Sequence, residues 1–97
     1  MMFLVEAELK CGVTQREVRA ARRRWVSQGK EKRLKKICRS VQRFAVAGSA
    51  PRRVLWLLEG KDPAGVELLA DHFGELWELK TSVVLPQAIG QAVRGVN

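Results

Sequence analysis

This 97-residue chain contains only one histidine and two cysteines. Cys11 and Cys38 form no CxxC pair, so a zinc site has too few ligands, and no metal or other cofactor is expected. A single His72 among scattered serines gives no Ser-His-Asp arrangement, and neither a P-loop nor a GxGxxG pattern is present. Long apolar runs are missing too. The longest, "MMFLV" (1–5) and "VLWLL" (54–58), have five residues each, against about 20 needed to span a bilayer. "MMFLVEAELK" has no cationic start, and Glu6 interrupts its apolar run, so it does not read as a signal peptide. These absences point to a cytoplasmic protein with reduced thiols and no membrane partner. The length suits one domain, since a second would be too small to bury its own core.

Acidic residues are scarce: 10 against 18 basic ones, for a net charge of +8. The imbalance is local. Arg16 to Lys36 contains ten basic and two acidic residues, and the rest of the chain carries eight of each. Such a surplus makes an anionic partner plausible and says nothing about fold.

What is present is patterned. Met2 to Lys10 alternates, with Phe3, Val5, Ala7 and Leu9 on one face and Met2, Leu4, Glu6 and Glu8 on the other, which predicts a half-buried strand. Thr14 and Glu17 fit a capping box, with Val13 and Val18 as its hydrophobic staple. In the helix that follows, Val18, Ala21 and Trp25 share a stripe, and Gly29 is a natural stop. Lys30 to Lys36 reads as a charged connector or a ragged helical extension. Ile37 to Ala47 and Arg53 to Glu59 read as a hairpin across "AGSAPR". The second of these strands is apolar on both faces and therefore central. Asp62 and Pro63 open a second helix, with Val66, Leu69, Phe73 and Leu76 on its buried stripe and Trp77 beside them at its end. Leu79 to Leu85 is the last strand, and 86–97 is a tail or short helix.

The order β-α-β-β-α-β predicts an α+β, ferredoxin-like domain over residues 1–97: a four-stranded antiparallel sheet with two helices on one face. The other face carries apolar side chains and needs a cover. The simplest is a second copy related by a two-fold axis, which predicts a homodimer. The strand "MMFLVEAELK", the "GVT" helix entry at 12–14, the hairpin, the helix "DPAGVELLADHFGELW" (62–77) and the strand "ELKTSVVLP" (78–86) together resemble the dimeric α+β barrel superfamily. More narrowly, they resemble small muconolactone-isomerase-like proteins whose own activity is not settled. The resemblance implies a sheet-to-sheet dimer around a cleft for a small ligand. In the wider superfamily it extends to cofactor-free isomerase or monooxygenase chemistry. It carries no catalytic residue onto this chain.

Met2, Leu4, Arg39, Arg43, Trp56 and Trp77 are the candidates to line such a cleft for an apolar, aromatic or anionic ligand. His72 could act as a base near neutrality, though a histidine at the edge of a helix stripe is more often structural. Glu6 and Glu8, about 7 Å apart on one strand face, could do acid–base work if one were desolvated. Cross-strand pairs with Arg39, Arg43 or Lys80 are the simpler expectation. Cys38 would be reactive only if Lys35, Lys36 or Arg39 stabilised its thiolate.

The alternative is nucleic-acid binding through Arg16, Arg19, Arg23, Arg24, Lys30, Lys32, Arg33, Lys35 and Lys36. The RNA-recognition module shares the fold plan but needs a glycine and several aromatics on the third strand. "RRVLWLLEG" has one tryptophan and no glycine before its end. A non-specific phosphate footprint remains open beside the reading of a solvated helix back.

Overall fold

The structure is a computed structural model that describes residues 1–48 and 52–85. The elements are β1 (Met2–Leu9), α1 (Gln15–Ser27), α2 (Lys30–Ile37), β2 (Cys38–Ala45), β3 (Arg53–Gly60), α3 (Ala64–Phe73) and β4 (Trp77–Val84). The strands form one antiparallel sheet in the order β2-β3-β1-β4. β2 therefore runs parallel to β1 with β3 between them, and β4 parallel to β3 with β1 between them. Two split βαβ units interleave, as the ferredoxin-like reading expects. The expected tail over 86–97 and part of the "AGSAPR" turn lie outside the described residues.

Periodicity assigns the sheet faces correctly where one face is unbroken. Phe3, Val5, Ala7 and Leu9 point toward the helices and are buried. The register places Val54, Trp56 and Leu58 of β3 beside Ala7, Val5 and Phe3 on that same side. Leu55 and Leu57 then project from the open face. Leu69 and Phe73 of α3 and Trp25 of α1 close the core from above. Each fully buried Leu or Val contributes about 1.5–3 kcal/mol relative to exposure.

Two expectations need correction. The helix layer has three helices rather than two, because Lys30–Ile37, open between a connector and a helical extension in the sequence, forms a helix of its own. Gly29 adopts φ 72°, which stops α1, and Arg33 N then donates to the Gly29 carbonyl at 3.0 Å and restarts the helix. Leu34 is the only buried residue of α2, so the sequence had no apolar period to show there. Trp77 is the first residue of β4 and not the end of a helix. It pairs with Leu9 and is buried. α3 has already ended at Phe73, with Gly74 N donating to the Ala70 carbonyl.

α1 starts at its expected N-cap, Thr14, whereas α3 starts one residue later than expected, with Pro63 and not Asp62 in the N-cap position. Thr14 Oγ1 accepts from Glu17 N at 3.2 Å, and Asp62 Oδ1 accepts from Ala64 N at 3.0 Å. A β-bulge between Cys38 and Ser40 opens β2.

Gly65 is fixed by packing. A Cβ there would lie 2.6 Å from Cys38 Sγ and 3.2 Å from Leu34 Cδ1. Helix propensity alone favours alanine by about 1 kcal/mol, so any net loss measures the clash. Gly65→Ala is expected to destabilise the protein by about 1–3 kcal/mol in urea denaturation, and adding Cys38→Ala should recover most of that loss.

Candidate functional site

The close backbone neighbours of α1 are chiefly α2 and α3. Bulky aromatic side chains fill the space between α1 and the sheet. Trp25 reaches down from α1, Trp56 and Trp77 rise from the sheet, and Phe73 joins from α3. Trp25 and Phe73 have ring centroids 5.0 Å apart, and Trp56 and Phe73 5.9 Å, distances at which aromatic pairs attract. These rings do not fill the space completely. They wall a cavity of about 200 Å³.

The mouth of this cavity is charged. Arg43 of β2, Arg22 of α1 and Glu31 of α2 all line it. The Arg43 guanidinium carbon lies 5.6 Å from the Trp56 ring centroid, a cation–π contact. Burial lowers the Arg43 pKa, Arg22 lowers it further, and Glu31 opposes both. Glu31 is shared: its carboxylate accepts from Trp25 Nε1, and its other oxygen lies 3.9 Å from Lys35 Nζ.

The six residues expected to line one cleft lie on two sides of the sheet. Arg43, Trp56 and Trp77 line the helix-side cavity. Met2 and Leu4 are on the open face, and Arg39 is at the β2 edge, 3.7 Å from Glu59. A sheet-to-sheet cleft therefore cannot gather all six. The error lies in the phase of β2 and β3, whose sequences do not say which face meets the helices. Arg22, Trp25, Phe73 and Glu31 were missing from the expected lining. The only available signal was that Trp25 shares a stripe with Val18 and Ala21.

His72 is a strut between helices. Its Nε2 lies 2.7 Å from the Ala21 carbonyl, and its Nδ1 lies 2.8 Å from Lys30 Nζ. A carbonyl can only accept and an ammonium can only donate, so Nε2 carries the proton and Nδ1 accepts. Both ring nitrogens are occupied, which leaves none for a substrate proton.

Glu6 and Glu8 line a broad groove of about 770 Å³ together with Lys10, Arg53, Glu78 and Lys80. Glu8 is exposed and Glu6 half-buried, so neither is strongly desolvated. The register places Lys80 beside Glu6 and Arg53 beside Glu8. Of the partners expected for these carboxylates, Lys80 is adjacent. Arg39 and Arg43 are not, because β3 separates β2 from β1.

The open face carries an apolar diagonal. Phe44 pairs with Leu55, Leu57 with Leu4, and Met2 with Val84. Its charges nearly balance, with Glu6, Glu8, Glu59 and Glu78 against Arg39, Arg53 and Lys80. The basic excess lies instead on the helices, where the nine residues named for phosphate contact all belong to α1 or α2. Lys30 is half-buried against His72, and the other eight are exposed.

No family model, curated protein or solved structure matches the chain. The ferredoxin-like plan therefore rests on the fold itself, and these comparisons do not support the narrower muconolactone-isomerase-like likeness. Among the described residues, no helix is long and apolar enough to cross a membrane.

Neither cysteine forms a disulfide. Cys11 is exposed, while Cys38 is buried. Burial, and then the charge of Asp62, push the Cys38 thiol pKa up. The native protein is expected to give one fast thiol with a disulfide reagent at pH 8, from Cys11, and a second only on unfolding. Because the shift is upward, the Cys38 contribution to stability is intact below the unfolded thiol pKa of about 8.5 and is lost as pH rises through the folded value. Cys38→Ser should flatten that alkaline decline in urea denaturation across pH 8–11.

Proposed function

We propose that the protein is a homodimeric small-ligand-binding protein. Two open sheet faces pair about a two-fold axis, and each subunit holds an apolar or aromatic, anionic ligand in its helix-side cavity. The carrying observation is the separation of charge from apolar surface. The open face is apolar along its diagonal and close to neutral, in a chain of net charge +8. Pairing these faces places the two basic helix layers on opposite outer surfaces, where their mutual repulsion is screened within about 8 Å at physiological salt. Any other pairing through the helices brings the cations together. The product is a dimeric α+β barrel, the architecture that the resemblance to muconolactone-isomerase-like proteins implies. Binding is the proposed activity, since His72, the side chain best suited to proton transfer, is committed at both nitrogens.

The second reading is a polyanion-binding protein, favoured by one observation. Because residues 30–37 are helical, α1 and α2 together present a longer ordered basic surface than a single helix would. Nucleic acid would bind this outer layer and leave the sheet face free.

Light scattering on protein freed of nucleic acid separates the two readings. The expected molar mass is close to twice the 10.9 kDa of the chain and does not change with salt. Leu57→Lys, at the middle of the diagonal, should give a folded monomer. A wild-type monomer that carries nucleic acid and sheds it steeply with salt would replace the first reading with the second.

A further inference from the structure

The chemistry of the helix-side cavity narrows what it can hold. At about 200 Å³ it is smaller than the roughly 300–1,000 Å³ of pockets for drug-sized ligands. It therefore takes one or two fused rings and excludes a nucleotide. Its walls are Trp25, Trp56, Phe73 and Trp77, all at most 7% exposed. Flat aromatic walls favour a flat aromatic guest, which gains edge and stacking contacts that a branched aliphatic does not.

The mouth adds a charge requirement. Arg22 and Arg43 supply two guanidiniums and Glu31 one carboxylate, so the lining carries one net positive charge. Glu31 is partnered by Trp25 Nε1 and Lys35, and it acts on Arg43 only through its charge. The two guanidiniums oppose one another, and Arg22 is one cause of the lowered Arg43 pKa. A guest with a single negative charge would relieve that opposition. Guanidinium matches a carboxylate with two parallel hydrogen bonds. A phosphate is a poorer guest, because the aromatic walls would strip its water while only two cations faced it.

We infer that this cavity is a binding site for a small planar aromatic carboxylate, with its ring against the tryptophan wall and its carboxylate at Arg43 and Arg22. The inference rests on the proposed reading of the cavity as a ligand site, and it does not depend on the dimer. Arg43 is the principal anchor because it already lies over Trp56, at the junction between charged mouth and aromatic floor. Glu31 opposes the guest's charge at Arg43.

Isothermal titration calorimetry on the full chain tests this with indole-3-carboxylate as the probe. Neutral indole supplies the ring alone, and acetate supplies the charge alone. Indole-3-carboxylate should bind with one site per chain, at least tenfold more tightly than either fragment. Arg43→Gln should weaken it at least tenfold, and Arg22→Gln by about threefold. Glu31→Gln keeps an acceptor for Trp25 and should tighten binding severalfold. Lys61→Gln removes a cation away from the cavity and should change nothing, and circular dichroism verifies that each variant is folded.

If indole binds as tightly as its carboxylate and Arg43→Gln is neutral, the carboxylate assignment is overturned while the cavity remains a ligand site. If Lys61→Gln weakens binding as much as Arg43→Gln, the anion is held by the general basic surface and the assignment is likewise overturned. If none of the three probes binds, both the assignment and the ligand-site reading fall.

Discussion

Trp25 is the side chain on which the helix layer depends. Its ring packs on Phe73 of α3, and its indole nitrogen donates to Glu31 of α2. A single residue of α1 thus ties together all three helices. The same indole is part of the wall of the cavity between α1 and the sheet. Trp56, Phe73 and Trp77 complete that wall, so four aromatic rings border the gap between the layers.

The polar ties around this junction are local and well satisfied. His72 bridges the Ala21 carbonyl and Lys30, so the histidine, the start of α2 and the middle of α1 are held by one imidazole. Lys10 closes the far end of α3 by donating to the Gly74 carbonyl at 3.0 Å. Among the described residues, no buried side-chain nitrogen or oxygen lacks a partner. Two lysines of a strongly basic chain are therefore used as internal fasteners rather than as surface charge.

The sequence made some of this legible, and the reasons are physical. Phe3, Val5, Ala7 and Leu9 alternate without interruption, and a period of two leaves one choice of buried face. Thr14 and Gly29 carry cap chemistry that fixes helix ends locally, and Asp62-Pro63 marks the start of α3 to within one residue. The four-stranded antiparallel sheet followed from the number and type of elements, and the register supplies its strand order. The phase of β3 was not legible, because Val54, Trp56 and Leu58 are no more apolar than Leu55 and Leu57. β2 gave no help, since its helix-side positions include Arg43 and its open-face positions include Phe44. The cavity escaped for the same reason. Its walls come from α1, β3, α3 and β4, and only the register brings Trp56 and Trp77 to the side that Trp25 faces. α2 was obscured by having a single buried side chain.

The bulge at Cys38 and Ser40 bears on how sheets of this shape grow. β2 is an edge strand with an exposed row of backbone donors and acceptors, the usual template for endless strand addition. Its first residues are out of step with β3, and Arg39 and Arg43 place charge along it. A neighbouring chain that tried to extend the ladder would meet a broken register and two guanidiniums. Strand addition is disfavoured there, so the row of backbone donors and acceptors along β2 is a poor seed for a fibre.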